Sequence, residues 1–208
     1  MSNPDSSELK ILCIYASPRA GGNTDAMMDA FVAGVESEGA KARKVYLREL
    51  VISPCLELYR CRKAGRCAID DQMTPLYEEL RYADVVALST PVMFYGVSAT
   101  AKAFIDRCQA LWCVKYLLKQ PLAPGRRGRA KGVLLSAGGS NGQKLFDGIR
   151  MTFKYFLDAI DADCWGELFI RGVDVLGDAK KHPAELVEAR SMGARVVSES
   201  MAPPGESD

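Results

Sequence analysis

Short apolar runs alternate with longer segments of helical period along this chain, and that alternation narrows the possible folds more than any other feature. Residues 10–16 (KILCIYA), 42–47, 84–89 (DVVALS), 131–136 and 165–171 read as strands. The segments 25–36, 70–82, 98–116, 144–160 and 184–197 read as helices; in the first, Met27, Met28, Phe31, Val32 and Val35 share one face. The strand runs are almost continuously apolar, as strands covered on both faces must be. Five such α/β units imply a parallel sheet layered between helices, and the flavodoxin-like three-layer order 2-1-3-4-5 is the most economical arrangement. Residues 1–208 are expected to form a single domain, with 1–8 and 200–208 disordered. Two insertions, 52–69 with three cysteines and the Pro- and Arg-rich 119–130, are expected as exposed loops at or near the rim of the sheet.

Composition excludes several classes of function. With 48% apolar and 25% charged residues, the chain can bury an ordinary core without disulfides or metal. A net charge of +1 gives no general attraction to nucleic acid or an anionic membrane. No apolar run approaches the ~18 residues of a membrane span, and the polar, acidic first nine residues are unlike a secretory leader. Seven cysteines, an odd number without the spacing of a small disulfide scaffold, suit a reducing compartment, and a cytoplasmic location is expected. His182 is the sole histidine and reads as a surface residue, which argues against histidine triads and histidine-rich metal sites.

In a doubly wound sheet, ligands bind beyond the carboxyl ends of the strands, where the strand order reverses. Three loops should meet there. Ser17-Pro18-Arg19-Ala20-Gly21-Gly22-Asn23-Thr24 follows a strand and opens a helix, the context of a phosphate site. It has neither the Gly-Lys-Ser/Thr ending of a nucleoside-triphosphate loop nor a GxGxxG fingerprint, so a phosphate monoester suits it better. A plain glycine-rich turn capped by Asn23 or Thr24 is the alternative. The second loop, residues 90–97 (TPVMFYGV), offers an aromatic and apolar wall for a flat ring, or else a plug of the core. The third, residues 137–142 (AGGSNG), lets the backbone come close to a ligand, or is a flexible turn. Together, a phosphate loop, an aromatic wall and a tight glycine loop describe a site for FMN.

The motifs ASPRAGGNT (16–24), ISPC followed by Cys61, Cys67 and Asp70-Asp71, and STPVMFYGVSATAKAFIDR (89–107) carry a family resemblance. The chain resembles the NAD(P)H-dependent FMN reductases of the flavodoxin-like superfamily, on the branch that includes the iron–sulfur flavoproteins. The resemblance implies that Ser17, Arg19, Gly22, Asn23 and Thr24 hold the FMN phosphate. It further implies that Pro91, Val92, Met93, Phe94 and Tyr95 line the ring and ribityl chain, and that Gly138, Gly139 and Ser140 close over the ring. The flavin N5 would carry the chemistry, with no catalytic side chain. NAD(P)H would be the electron donor and a quinone, flavin or other small molecule the acceptor. A non-enzymatic FMN electron carrier is the rival reading, and a homodimer or higher homo-oligomer is expected.

Iron–sulfur members of the branch carry four cysteines in a compact run. Here Cys55, Cys61 and Cys67 fit three of the places and Leu58 stands at the fourth, so no bound metal is expected and the three thiols read as loop packing near the flavin; a cluster with an unusual fourth ligand, and a redox-sensing or zinc-binding role, are the alternatives. Cys13, Cys108, Cys113 and Cys164 fall within expected elements and read as core residues. Lys102 and Asp106-Arg107 read as structural. The 126–129 run (RRGR) reads as a solvated loop, with attraction of NADPH phosphates as the alternative.

Overall fold

The computed structural model describes residues 9–126 and 128–202. The elements follow in the order β1 (Ile11–Tyr15), α1 (Asn23–Ser37), β2 (Ala42–Tyr46), α2 (Cys61–Ala64), α3 (Leu76–Tyr82), β3 (Val85–Pro91), α4 (Ala99–Arg107), α5 (Gln109–Trp112), β4 (Ala130–Gly138), α6 (Asp147–Ala159), β5 (Ala162–Arg171) and α7 (Pro183–Met201). The five strands pair in parallel as β2-β1-β3-β4-β5, the expected flavodoxin-like order.

Strand alternation divides the core into two layers. Leu12 and Ile14 of β1 face a cluster with Phe104, Leu111, Phe153 and Phe156 from α4, α5 and α6. Ile11, Cys13 and Tyr15 face the opposite way, onto Met27, Phe31 and Val35 of α1 and Met192 and Val196 of α7. Helices α1 and α7 approach backbone to backbone. A β-carbon on Gly34 would stand 1.9 Å from the Arg190 carbonyl oxygen, and one on Gly193 would stand 1.9 Å from that of Phe31. These two glycines allow a contact that no larger residue permits.

Several boundaries differ from the sequence reading. The helix expected over 70–82 begins only at Leu76, because the Asp71 carboxylate accepts the Met73 N–H at 3.0 Å and holds residues 70–75 in turns. The helix expected over 98–116 breaks at Cys108 and ends in a π-helical turn, Cys113–Leu117, in which the Leu118 N–H reaches the Cys113 carbonyl at 2.9 Å. Helix α7 runs through Met201, so Ser200 and Met201 of the tail expected to be disordered are helical; 1–8 and 203–208 lie outside the described residues. Cys13, Cys108 and Cys113 are buried as expected, but Cys164 is exposed on the edge strand β5.

The arginine run is not a freely solvated loop. Arg126 donates to the carbonyls of Arg81 and Asp161 at 2.9 and 2.7 Å, and Arg129 pairs with Asp161 at 2.9 Å. Both hold the entry to β4, at the amino end of the sheet and away from its carboxyl rim; Arg127 lies outside the described residues. Among the described residues no helix is long and apolar enough to cross a membrane.

Replacing Gly193 with Ala should force α1 and α7 apart and lower the unfolding free energy by about 3 kcal/mol, the upper end of ordinary overpacking costs. Urea titration of the two proteins measures it.

Candidate functional site

The carboxyl ends of β1, β3 and β4 are joined by a buried set of hydroxyl groups. Ser98 donates to the Ala16 carbonyl at 2.7 Å and accepts the Ala101 N–H at 3.2 Å, capping α4. Thr90 accepts the Ser98 N–H at 3.1 Å, and Ser136 donates to the Thr90 carbonyl at 2.6 Å. Ser89, Thr90, Ser98 and Ser136 are all buried. Polar groups at this depth persist because each has a partner, and here the partners are the strand ends that position the three loops.

Within the first loop, the Ser17 hydroxyl accepts the Arg19 N–H at 3.1 Å and donates to the Arg19 carbonyl at 3.0 Å, folding the loop on itself. Gly21 has φ +65°, and its N–H is accepted by Asp25 at 3.0 Å. Asp25 also pairs with Arg48 at 2.9 Å, and burial, which outweighs that guanidinium, holds its carboxyl above the usual range. A β-carbon on Gly22 would stand 2.9 Å from the Ser17 hydroxyl. Arg19 donates to the Asp174 carbonyl at 2.9 Å. Asn23 donates to the Val175 carbonyl and accepts the Ala179 N–H, both at 3.0 Å. The side chains of Ser17, Arg19 and Asn23 therefore brace the loop.

Thr24 is different. Its side chain is buried, and its hydroxyl has no hydrogen-bond partner. It lies in the first turn of α1, where the N–H groups of residues 23–25 have no acceptor within the helix, and Gly22 supplies no side-chain cap. The helix dipole adds partial positive charge at the same place.

The second loop closes as a two-residue hairpin. Met93 and Gly96 exchange both backbone hydrogen bonds at 2.9 Å, and Phe94 and Tyr95 take φ of +48° and +61°. Such left-handed turns suit glycine and asparagine; two aromatic residues held there carry strain of the kind that collects at ligand sites. Phe94 is fully exposed, Met93 and Tyr95 are about half exposed, and Pro91 and Val92 are half-buried.

The loops touch one another. A β-carbon on Gly138 would meet Val92 at 2.8 Å, and one on Gly142 would lie 3.5 Å from the Tyr95 hydroxyl. Gly139 packs against Asp174, whose carbonyl is bonded to Arg19. Ser140 is exposed and accepts the Gly142 N–H at 3.1 Å. The contacts thus run from the first loop through Asp174 to the third loop and on to the second. Arg48, Asp174 and Val175 were missed from sequence: each acts from a distant segment, and nothing in its local composition marks it.

Beside this rim lies the cysteine insertion, anchored by a buried ion pair. Arg107, fully buried on α4, grips Asp71 at 2.7 and 3.2 Å and also donates to the carbonyls of Ser53 and Ile69 at 2.9 and 3.0 Å. Burial alone would raise the Asp71 carboxyl. Arg107 and the N–H groups of Ser53 and Met73 reverse that and hold it below the usual carboxylate range. The segment so held covers a cavity of about 500 Å³ lined by Cys55, Leu58, Cys61 and Cys67, and from below by Gln109 and Cys113. The sequence reading missed Cys113 here, because it lies far along the chain among apolar neighbours.

Residues 9–163 match the family described as NADPH-dependent FMN reductase. The iron-sulfur flavoprotein of Methanosarcina thermophila is 30% identical over 199 residues, covering 92% of this chain and 91% of that protein. The chain spans about half the length of several other curated relatives that it matches. Among solved structures, the azoreductase of Bacillus anthracis superposes with a TM-score of 0.68 at 18% identity, over 90% of this chain and 99% of that one. A flavodoxin from the domain Archaea superposes with a TM-score of 0.55 at 13% identity, over 93% and 100%. These two likenesses place the chain in the flavodoxin-like fold.

Replacing Asp71 with Asn should cost about 3 kcal/mol at neutral pH, because it strands a buried guanidinium. A depressed carboxyl stabilises the fold fully above its unfolded pKa of about 3.9 and loses that contribution as pH falls through the lower folded value. In urea titrations, the gap between the wild type and Asp71→Asn should therefore persist at pH 5 and close below about pH 4.

Proposed function

The chain belongs to the NADPH-dependent FMN reductase family, and from that membership we propose that it binds FMN at the rim of the sheet and passes electrons from NAD(P)H to a quinone, flavin or other small acceptor. One observation carries the proposal: the buried Thr24 hydroxyl without a partner, at a helix N-terminus whose first N–H groups have no acceptor within the helix. A buried hydroxyl left unsatisfied costs about 1–3 kcal/mol, and a phosphate oxygen placed there removes that cost. The donor set suits a phosphate monoester, since it contains neither a lysine nor a metal-binding pair.

Bound FMN supplies a ring that accepts hydride from a nicotinamide and yields the electrons to a second molecule. The protein's part is position and electrostatics. Thr24 and the N–H groups of residues 23–25 hold the phosphate, with Gly22 leaving the approach free of a side chain. Ser17, Arg19 and Asn23 keep the loop in shape through the contacts with Asp174, Val175 and Ala179. Pro91, Val92, Met93, Phe94 and Tyr95 form the wall of the ring site, with the strained hairpin fixing the aromatic pair. The backbone of Gly138, Gly139 and Ser140 closes the third side, where unhindered N–H groups favour negative charge on a ligand. Donor and acceptor would visit the ring in turn. The exposed 93–95 segment also suits cover by a second copy of the chain. The odd number of thiols fits a reducing, cytoplasmic setting.

Two measurements test this reading. Thr24→Val should leave the FMN-free protein as stable as the wild type or more so, while weakening FMN binding ~10–100-fold, the worth of one hydrogen bond to a charged group. An anaerobic absorbance titration of the FMN-loaded protein should bleach the flavin stoichiometrically with NADH or NADPH. A flavin that stays yellow with both would favour the electron carrier, and failure to bind FMN would overturn the proposal.

A further inference from the structure

The cysteine insertion shows a pattern that loop packing does not explain. Cys55, Cys61 and Cys67 are each half-buried, while residues 56–60, 62–64, 66 and 68 around them are exposed. All three line one cavity, although the backbone between the first two is left-handed at Glu57 and Tyr59. The Arg107 clamp holds Ser53 at one end of the segment and Ile69 and Asp71 at the other, so the loop is closed over this space.

The floor of the cavity supplies a fourth thiol. Cys113 is fully buried, yet it is not surrounded only by apolar groups: the Gln109 amide donates to its sulfur at 3.9 Å, and it lines the same cavity as Cys55, Cys61 and Cys67. Cys108, just upstream, offers the contrast, since its thiol faces the core and donates to the Phe104 carbonyl at 3.5 Å. The chain also changes to a π-helical turn at Cys113, a distortion frequent at functional sites.

The iron-sulfur group in the relatives' names can be tested against these donors. Four thiolates are the ligand number taken by both [2Fe–2S] and [4Fe–4S] cores. Among the described residues, no three His, Cys, Asp or Glu side chains gather closely enough to grip a single metal ion. That disfavours a lone zinc. It does not disfavour a cluster, whose ligand sulfurs attach to different iron atoms and stand farther apart. Leu58, at the place where the compact cysteine run would have its fourth member, lines the same cavity. The donor chemistry fits, provided the fourth thiol comes from the helix.

We propose that Cys113 is the fourth ligand of an iron–sulfur cluster whose other ligands are Cys55, Cys61 and Cys67, a helix cysteine standing in for the loop position occupied by Leu58. Assembly exchanges the four thiol protons for iron–sulfur bonds, with the protons released to solvent; an all-ferric [2Fe–2S] core needs no electrons, and for a [4Fe–4S] core dithiothreitol supplies them as it oxidises to its disulfide. The inference does not depend on the flavin reading, because no residue of the phosphate loop takes part.

The test is anaerobic reconstitution of the full chain with ferric iron, sulfide and dithiothreitol, followed by iron and acid-labile sulfide analysis and electron paramagnetic resonance after dithionite reduction. FMN content and far-ultraviolet circular dichroism are read separately. Wild-type protein should hold equal iron and sulfide, about 2 or about 4 of each per chain. Cys113→Ser should lose both with its circular dichroism unchanged, and Cys164→Ser, outside the cavity, should keep both. Adding Leu58→Cys to Cys113→Ser should restore the cluster by completing the loop run. Wild-type protein that takes up no iron, or Cys113→Ser that keeps its full complement, would overturn the assignment. So would a loss that Leu58→Cys fails to rescue, since it would mark Cys113 as a packing residue.

Discussion

The architecture depends on β1 having a parallel neighbour on each side. With β2 along one edge and β3 along the other, the crossover connections leave β1 and β3 toward opposite faces of the sheet, and a gap opens at their carboxyl ends. The protein fills the floor of that gap with hydroxyl groups. Ser98 ties the end of β1 to the start of α4, and Thr90 and Ser136 tie β3 to β4. The first loop, the hairpin and the glycine loop are therefore anchored at one place.

Around that frame, local free energy is sacrificed in a consistent direction. Two aromatic residues occupy left-handed backbone, a threonine hydroxyl is buried without a partner, and a carboxylate is desolvated at Asp25. None of these helps the chain fold. Each lies at the carboxyl rim of the sheet, and the apolar layers on both faces provide the stability that permits it. The Arg107–Asp71 pair acts differently. One buried guanidinium bonds the Asp71 carboxylate and the carbonyls of Ser53 and Ile69, and so holds a long insertion beside the rim.

Local pattern is informative in some parts of this chain and silent in others. The central strands β1, β3 and β4 were legible because both faces of each are buried, which leaves runs such as KILCIYA and DVVALS. Glycine-rich and aromatic loops at strand ends were legible because such compositions suit few other settings. The helix expected over 70–82 was misjudged at its start because Asp71 serves Arg107, 36 residues away, and not the helix. Ser17, Arg19 and Asn23 look like ligand donors from residue type alone, whereas the fold engages their side chains in bracing the loop. Cys164 looks buried in sequence because the strand run cannot reveal that β5 lies at the sheet edge.

The sequence by itself determined the layered α/β class, the strand order and which three loops meet at the carboxyl rim of the sheet, because burial periodicity and glycine placement are local properties. Tertiary structure alone decided which polar groups of the first loop remain unpaired, how Gly34 and Gly193 bring α1 and α7 together, and that Cys113 shares a cavity with Cys55, Cys61 and Cys67. Those outcomes rest on contacts between segments far apart in the chain. A residue's chemistry can be read from its letter, but its partner is set only when the chain folds.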